Sequence, residues 1–192
     1  MNLEHFLSQN SKLLGNETPW EHLFVENVLS RVDSLDFARV GIQTPFRDSQ
    51  GRDQRIDFTI QEGAMVRIAP EVDGYDKRGR GTGWTSREFK DYLRREADIS
   101  GAGWVVLRFA NALVRDEPEN CARNIALVLR RERAKAADQG GVLPKGGSEA
   151  LSPEEAEELM VLDALRQETL EDMAGRLRFL SSSMNFVRGR FS

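Results

Sequence analysis

Cysteine and histidine are scarce in this chain, and their scarcity excludes several kinds of site. The 192 residues include one cysteine, Cys121, and two histidines, His5 and His22. A single cysteine excludes an intrachain disulfide and is typical of a reducing compartment. No cysteine or histidine spacing matches a zinc site, and neither histidine accompanies a nucleophile. Catalysis by serine, cysteine or histidine therefore has little support.

Long apolar segments are missing as well. No run approaches the ~20 apolar residues that a membrane-spanning helix needs. The first five residues include Glu4 and no apolar core, unlike a secretory signal. With 40% hydrophobic and 30% charged residues, the composition predicts a globular, cytoplasmic protein.

Positive charge is concentrated in one stretch of an otherwise acidic or neutral chain. The net charge is −4; residues 149–192 hold nine acids and five bases, so residues 1–148 sum to zero. Residues 77–95 hold seven bases and two acids. A polyanion partner and a solvated helix face explain this charge equally well. The candidate nucleic-acid contacts in this stretch are Lys77, Arg78, Arg80, Arg87, Lys90 and Arg94.

The order of apolar segments and breakers predicts an α/β fold in four regions. We expect an N-terminal arm over residues 1–17, a main domain over 18–137, a Gly/Pro linker over 138–151 and a helical tail over 152–192. A strand, helix, strand order in the main domain implies a parallel crossover. The expected helices are 18–35, 85–99 and 116–137, and Thr85-Ser86-Arg87-Glu88 is expected to cap the second of them. The expected strands are 37–46, 55–60, 66–73 and 104–109.

Two carboxylates end the apolar strand that starts at Val66. Alternation places Glu71 and Asp73 on one face, roughly 7 Å apart at Cβ, a gap that a divalent cation can bridge. Burying two acids there is costly unless something neutralises them. The function of this strand end therefore depends on what that neutralising group is.

Asp57 supplies a third acid on the neighbouring strand of the same hairpin. Alternation puts Ile56, Phe58 and Ile60 on one face and Asp57 on the other. A turn centred near residues 62–63 places Asp57 opposite a residue near 68, so a bulge or a kink at Pro70 has to bring the acids together.

Glu21 is a candidate fourth acid. Thr18-Pro19-Trp20-Glu21 is a strong helix start, in which Thr18 is the N-cap and Glu21 closes a capping box. Glu21 also lies beside the apolar side of the helix, where it fits a metal or water ligand equally well. Glu26, on a more polar face, is the weaker alternative.

Three acids followed by a basic helix and a buried strand are typical of a metal-dependent nuclease. Carboxylate oxygens suit Mg²⁺, with Mn²⁺ as a substitute. Such ions neutralise the phosphodiester and activate water, while nearby arginines and lysines hold flanking phosphates. This pattern favours a magnesium-dependent endonuclease that acts on DNA.

The same segments carry a family resemblance. Arg55-Ile56-Asp57-Phe58, then Pro70-Glu71-Val72-Asp73-Gly74, then Gly103-Trp104-Val105-Val106-Leu107-Arg108-Phe109 resemble the PD-(D/E)XK nuclease superfamily. Within it, they are similar to the small endonucleases related to very-short-patch repair and to an allied, uncharacterised domain group. The resemblance covers roughly residues 18–135.

The resemblance implies a restriction-endonuclease-like mixed sheet flanked by helices. It also implies that Asp57, Glu71 and Asp73 are metal ligands and that Glu21 is the acid of the first helix. Asp91 and Arg94 fall approximately where that group carries an Asp/Arg pair.

The chain departs from the family pattern at two positions. Asp73 stands where the superfamily has a lysine, so Lys77 or Lys90 would have to supply a positive charge, or the metals suffice. Tyr75 stands where a histidine often follows the EVDG segment. Arg108, inside an apolar strand, is expected to pair with a site acid rather than with DNA.

The tail contains a heptad stripe of leucine, methionine, valine and phenylalanine from Leu170 to Phe191. It fits a helix packed on its own domain, or an interface with another copy or a helical partner. Besides an endonuclease of repair or of defence against foreign DNA, the sequence therefore allows two further functions. One is a nuclease-fold module that binds nucleic acid with little cleavage, and the other is an effector that a tail-bound partner activates.

Overall fold

A computed structural model describes residues 1–14, 19–74, 85–140 and 151–164. The chain divides into two compact units, Met1–Ala150 and Leu151–Ser192. The predicted α/β class is confirmed, because the first unit contains a four-stranded mixed sheet flanked by helices.

The sheet follows chain order. Its strands are β1 (Val40–Arg47), β2 (Asp53–Glu62), β3 (Val66–Asp73) and β4 (Val105–Ala110). β1, β2 and β3 are antiparallel neighbours, whereas β3 and β4 are parallel. The parallel crossover is thus confirmed, and it brings the ends of β3 and β4 to one edge of the sheet.

The helices of this unit are mostly short. They are α1 (Leu3–Gln9), α2 (Ser11–Leu14), α3 (Trp20–Leu23), α4 (Ser86–Gly101), α5 (Asn111–Asp116) and α6 (Pro118–Asp138). α4 connects β3 to β4. The capping box predicted at its start is present, because Thr85 and Glu88 each accept a hydrogen bond from the other's backbone N–H.

The helix predicted over residues 18–35 is shorter and less regular. After α3, Phe24–Val28 forms a π-helical turn and Leu29–Arg31 a 3₁₀ turn. The N-cap is Pro19, without a side-chain capping bond. Thr18 lies outside the described residues, and so does the capping box predicted between Thr18 and Glu21.

Two apolar clusters cover the two faces of the sheet. On one face the ring of Phe24 lies 4.9 Å from that of Phe58 and 5.5 Å from that of Phe109. On the other, α4 and β4 contribute to the cluster Ile56, Ala69, Ile99, Trp104 and Val106. Val106 and Phe109 are three residues apart on one strand and so face opposite ways.

Ile56 and Phe58 therefore lie on opposite faces, and the expectation that they share one is wrong. β1 changes phase at the same level: Gly41 pairs with Thr59, and the hydroxyls of Thr44 and Thr59 are 2.8 Å apart. Between these residues Gln43 has φ +50°, a left-handed conformation that shifts the alternation. The irregularity is centred on Asp57.

The register of the β2–β3 hairpin also differs from the prediction. Its pairs run from Glu62–Val66 to Ile60–Ile68, so the turn is centred on Ala64. Extending this register places Asp57 opposite residue 71 instead of a residue near 68. The paired ladder stops two residues before Pro70, where a backbone donor is missing.

In the second unit, residues 153–164 form a helix, α7. The linker predicted over 138–151 and the heptad stripe lie mainly or wholly outside the described residues. Within the described ranges, no helix has the length and apolarity needed to cross a membrane.

Candidate active site

Glu71 is the centre of the candidate site. It is only 2% exposed, on the face of β3 that α4 covers. The backbone N–H of Asp57 donates to its Oε1 at 3.3 Å, and the N–H of Val72 donates to Oδ2 of Asp57 at 3.1 Å. Side chains thus continue the link between β2 and β3 where the ladder has stopped, and they bring Asp57 and Glu71 together.

Arg95, from the middle of α4, binds both oxygens of Glu71. Its Nε donates to Oε2 at 3.1 Å, and its Nη2 lies 3.0 Å from Oε1 and 2.9 Å from Oε2. The same guanidinium donates to Oε1 of Gln54 at 3.5 Å and to the carbonyl of Arg55. Arg95 is therefore a bidentate partner fixed to two strands.

Arg108 neutralises the next acid along β3. Its Nη1 donates to Oδ2 of Asp73 and lies 3.8 Å from Oε2 of Glu71. Its Nε donates to Glu96 at 3.1 Å, and its guanidinium lies 4.2 Å from the centre of the Tyr92 ring. As expected from the sequence, Arg108 pairs with site acids. Its Nη2 is buried and has no hydrogen-bond partner among the described residues.

Crowding of charge changes the acidity of this site. Burial, followed by the nearby charge of Asp57, raises the pKa of Glu71 from 4.5 to about 7, although Arg95 and Arg108 act in the opposite direction. Burial lowers the pKa of Arg108, but Asp73 and its other neighbours outweigh this and raise it. A carboxyl that titrates near neutrality beside fixed charges is typical of functional sites.

The three acids have the right chemistry for Mg²⁺ or Mn²⁺, because these ions prefer carboxylate oxygens as ligands. Their placement in the free protein does not present them as a ligand set. In the described part of the chain, no group of three or more His, Cys, Asp or Glu side chains is placed to hold a metal ion. Both oxygens of Glu71 bind Arg95, and Asp73 binds Arg108.

Asn111 lies at the end of the site where β4 finishes. It follows β4 directly, and its Nδ2 would lie 3.3 Å from a Cβ placed on Gly74. Its Oδ1 is buried without a hydrogen-bond partner in the residues described. An amide thus packs against the glycine that follows Glu71-Val72-Asp73.

Glu21 lies on the other side of the sheet from α4. Its helix, α3, contacts α5, which begins at the site end of β4. The next residues of that segment pack through Phe24 against Phe58 and Phe109. A role for Glu21 at the metal remains a prediction.

The predicted nucleic-acid contacts divide into two groups. Arg87, Lys90 and Arg94 lie exposed on α4, whereas Lys77, Arg78 and Arg80 fall outside the described residues. Arg94 pairs with Asp91 at 3.2 Å on the exposed side of the helix, and the family role that the resemblance implies for these two residues stays a prediction. The arginine that reaches the buried acid is its neighbour, Arg95.

Sequence reasoning therefore missed most of what α4 contributes. Tyr92, Arg95 and Glu96 precede the buried Ile99 at helical spacings of seven, four and three residues. These spacings place all four on one side of the helix. Helical periodicity alone would have predicted that Arg95, and not Arg94, faces β3.

No match to this chain was found among protein-family models, curated proteins or solved structures.

Proposed function

We propose that this protein is a metal-dependent endonuclease that hydrolyses phosphodiester bonds of DNA, on a restriction-endonuclease-like sheet. One observation carries the proposal. Asp57 of β2 is hydrogen-bonded to the almost fully buried Glu71 of β3, and Arg108 connects Glu71 to Asp73 at the end of that strand. The proposed cofactor is Mg²⁺, for which Mn²⁺ substitutes.

A purely structural role explains this cluster poorly. One buried carboxylate with one arginine is a common arrangement, but a second carboxylate beside it makes the ionised pair unfavourable. Here the charge of Asp57 raises the pKa of Glu71. Divalent cations relieve such repulsion, and when bound they supply Lewis acidity and an activated water.

The remaining roles follow from position. Arg87, Lys90 and Arg94 present positive charge on the exposed side of α4, the helix that covers the acids. There they would bind flanking phosphates of DNA and contribute the salt dependence of binding. DNA in the cytoplasm, during repair or defence against foreign DNA, is the substrate that fits these features.

A second function is favoured by a different observation. Arg95 and Arg108 already neutralise Glu71 and Asp73 in the free protein. A chain with internal cations at its acids can serve as a nuclease-fold module that binds DNA without cutting it. It would then act within a complex, as a homo-oligomer or with a helical partner bound to residues 152–192.

Plasmid nicking separates the two functions. Purified protein is incubated with supercoiled plasmid in Mg²⁺, Mn²⁺ or EDTA, and DNA binding is measured in parallel by mobility shift. Glu71→Gln tests the site, and Asp91→Asn is the matched control because it changes an exposed carboxylate of α4.

For the endonuclease, nicking requires the metal, falls by at least about a hundredfold in Glu71→Gln and persists in Asp91→Asn. DNA binding without nicking in either metal establishes the binding module instead. Nicking that survives EDTA contradicts the metal-dependent function. Light scattering of the full chain and of a truncation after Lys145 tests the tail, since an unchanged oligomeric state removes its proposed role in self-association.

A further inference from the structure

The two arginines of the site occupy the carboxylates that the proposed metal needs. Arg95 takes both oxygens of Glu71, and Arg108 takes Oδ2 of Asp73. A magnesium ion binds carboxylate oxygens at about 2.0–2.1 Å and demands near-octahedral geometry. It would compete with the guanidinium groups for the same lone pairs, and their positive charges would repel it.

The two arginines are held very differently. Arg95 is anchored by Glu71, by Gln54 and by the carbonyl of Arg55, and its guanidinium lies 5.7 Å from the Phe46 ring centre. Moving Arg95 would break contacts to both β2 and β3. It is therefore the fixed cation of the site.

Arg108 has a simpler attachment to the acids. Nε binds Glu96 and the guanidinium lies over Tyr92, so both contacts hold it to α4. Toward the acids of β3 it uses Nη1, which binds Asp73 and lies 3.8 Å from Oε2 of Glu71. Nη2 is buried and lacks a hydrogen-bond partner among the described residues, so one edge of the guanidinium has a donor still to be used. A phosphate offers two oxygens to such an edge, in the bidentate geometry that arginine favours.

We infer that Arg108 keeps the metal site closed in the free protein by binding Asp73, and that a DNA phosphate opens it by drawing the guanidinium away. This inference rests on the proposed endonuclease function. Glu96 and Tyr92 are the positioning residues that keep Arg108 within reach of both partners. Because coupling between two ligands is reciprocal, DNA strengthens metal binding and metal strengthens DNA binding by the same factor.

The test measures metal binding, not activity. Mn²⁺ is titrated into the full chain without DNA, and free Mn²⁺ is followed by electron paramagnetic resonance. Arg108→Gln removes the competing cation. Arg115→Gln is the matched control, since Arg115 is an exposed arginine paired with Asp116 outside the acid cluster.

We expect Arg108→Gln to bind Mn²⁺ at least about tenfold more tightly than wild type, with Arg115→Gln unchanged. A short DNA duplex in excess should strengthen Mn²⁺ binding by wild type to a similar degree, and to a much smaller degree in Arg108→Gln. Equal affinity of wild type and Arg108→Gln without DNA overturns the inference while leaving the proposed function standing. If no variant binds Mn²⁺, with or without DNA, the proposed metal chemistry fails as well.

A second variant tests the inference even if Arg108→Gln fails to fold. Glu96→Gln weakens the anchor of Arg108 but leaves the arginine and Asp73 in place, and circular dichroism checks both variants. We expect Glu96→Gln to bind Mn²⁺ with an affinity between those of wild type and Arg108→Gln. Weaker Mn²⁺ binding than wild type in a folded Glu96→Gln protein contradicts the inference.

Discussion

The β2–β3 hairpin carries two glutamates that are buried to nearly the same extent and are each paired with one arginine. Glu62 ends β2 and is 3% exposed, while Glu71 lies on β3 and is 2% exposed. Each is bound through both oxygens by one arginine. Arg133, from α6, binds Glu62 with Nε at 2.8 Å and Nη2 at 2.6 Å, much as Arg95 binds Glu71.

What differs is the surroundings of each pair. Arg133 uses its remaining donors on Ser34, reaching the hydroxyl at 2.7 Å and the carbonyl at 3.0 Å, so the pair is complete in itself. Glu71 has Asp57 at its side and Arg108 nearby. A buried ion pair alone is consequently a poor marker of a functional site, whereas a second acid within reach is a good one.

The largest loss of stability should come from breaking the Glu62–Arg133 pair. Glu62→Gln leaves Arg133 as an uncompensated buried charge, and we expect it to lower the free energy of unfolding by about 3–5 kcal/mol. Urea denaturation followed by circular dichroism measures this loss. Lys135→Ala, which removes an exposed partner of Glu132, is the control and should cost less than about 1 kcal/mol. A similarly small loss in Glu62→Gln would contradict the structural role of the pair.

The pair of Glu71 and Arg95, with Asp57 beside it, should instead make the stability of the protein depend on pH. An acid whose pKa is higher in the folded than in the unfolded protein stabilises the fold only while protonated. Since the pKa of Glu71 rises from 4.5 to about 7, its contribution is complete below the lower value and is lost as pH rises to the upper one. The loss is at most about 3 kcal/mol.

Glu71→Gln isolates this contribution, because glutamine resembles the protonated acid. The difference in unfolding free energy between variant and wild type should grow in the variant's favour from pH 4.5 to 7, as measured by urea denaturation at stepped pH. A difference that stays constant over this interval would contradict the raised pKa of Glu71.

The smallest effects concern Gly63, which directly follows Glu62, and Gly74, which lies three residues after Glu71. Gly63, next to Glu62, has φ +62° and open space around its Cβ position, so Gly63→Ala should cost about 1 kcal/mol through backbone strain. Gly74→Ala places a methyl 3.3 Å from Nδ2 of Asn111, and we expect less than about 0.5 kcal/mol in stability.

Under the proposed function, Gly74→Ala should nevertheless reduce plasmid nicking more than Gly63→Ala does. Urea denaturation and the nicking assay together measure both properties. The reverse order of nicking would place the functional end of the hairpin at its turn.

Much of the fold followed from the sequence because the relevant signals are local. Apolar alternation, the Thr85/Glu88 capping box and the strand, helix, strand order identified β2, α4, β4 and the parallel pair correctly. The pairing of Arg108 with site acids followed from the cost of burying a lone charge.

The features that the sequence did not predict depend on contacts between strands or between turns of a helix. The phase change at Asp57 depends on the left-handed conformation of Gln43, a residue on the partner strand, and glutamine gives no signal for it. The choice of Arg95 over Arg94 depends on which side of α4 faces β3, and a charge count along the chain does not distinguish them. The Glu62–Arg133 pair joins residues that are 71 positions apart.

The paired irregularity at Gln43 and Asp57 also constrains how this protein can change over evolutionary time. Deleting one residue from β2 alone would restore its regular alternation, but it would shift the pairing with β1 and move Asp57 away from Glu71. Only a matching deletion in β1 would repair the register, and the acid would still be displaced. Length changes in these two strands are thus coupled, and lineages that keep the acid cluster should accept insertions and deletions in the turns instead.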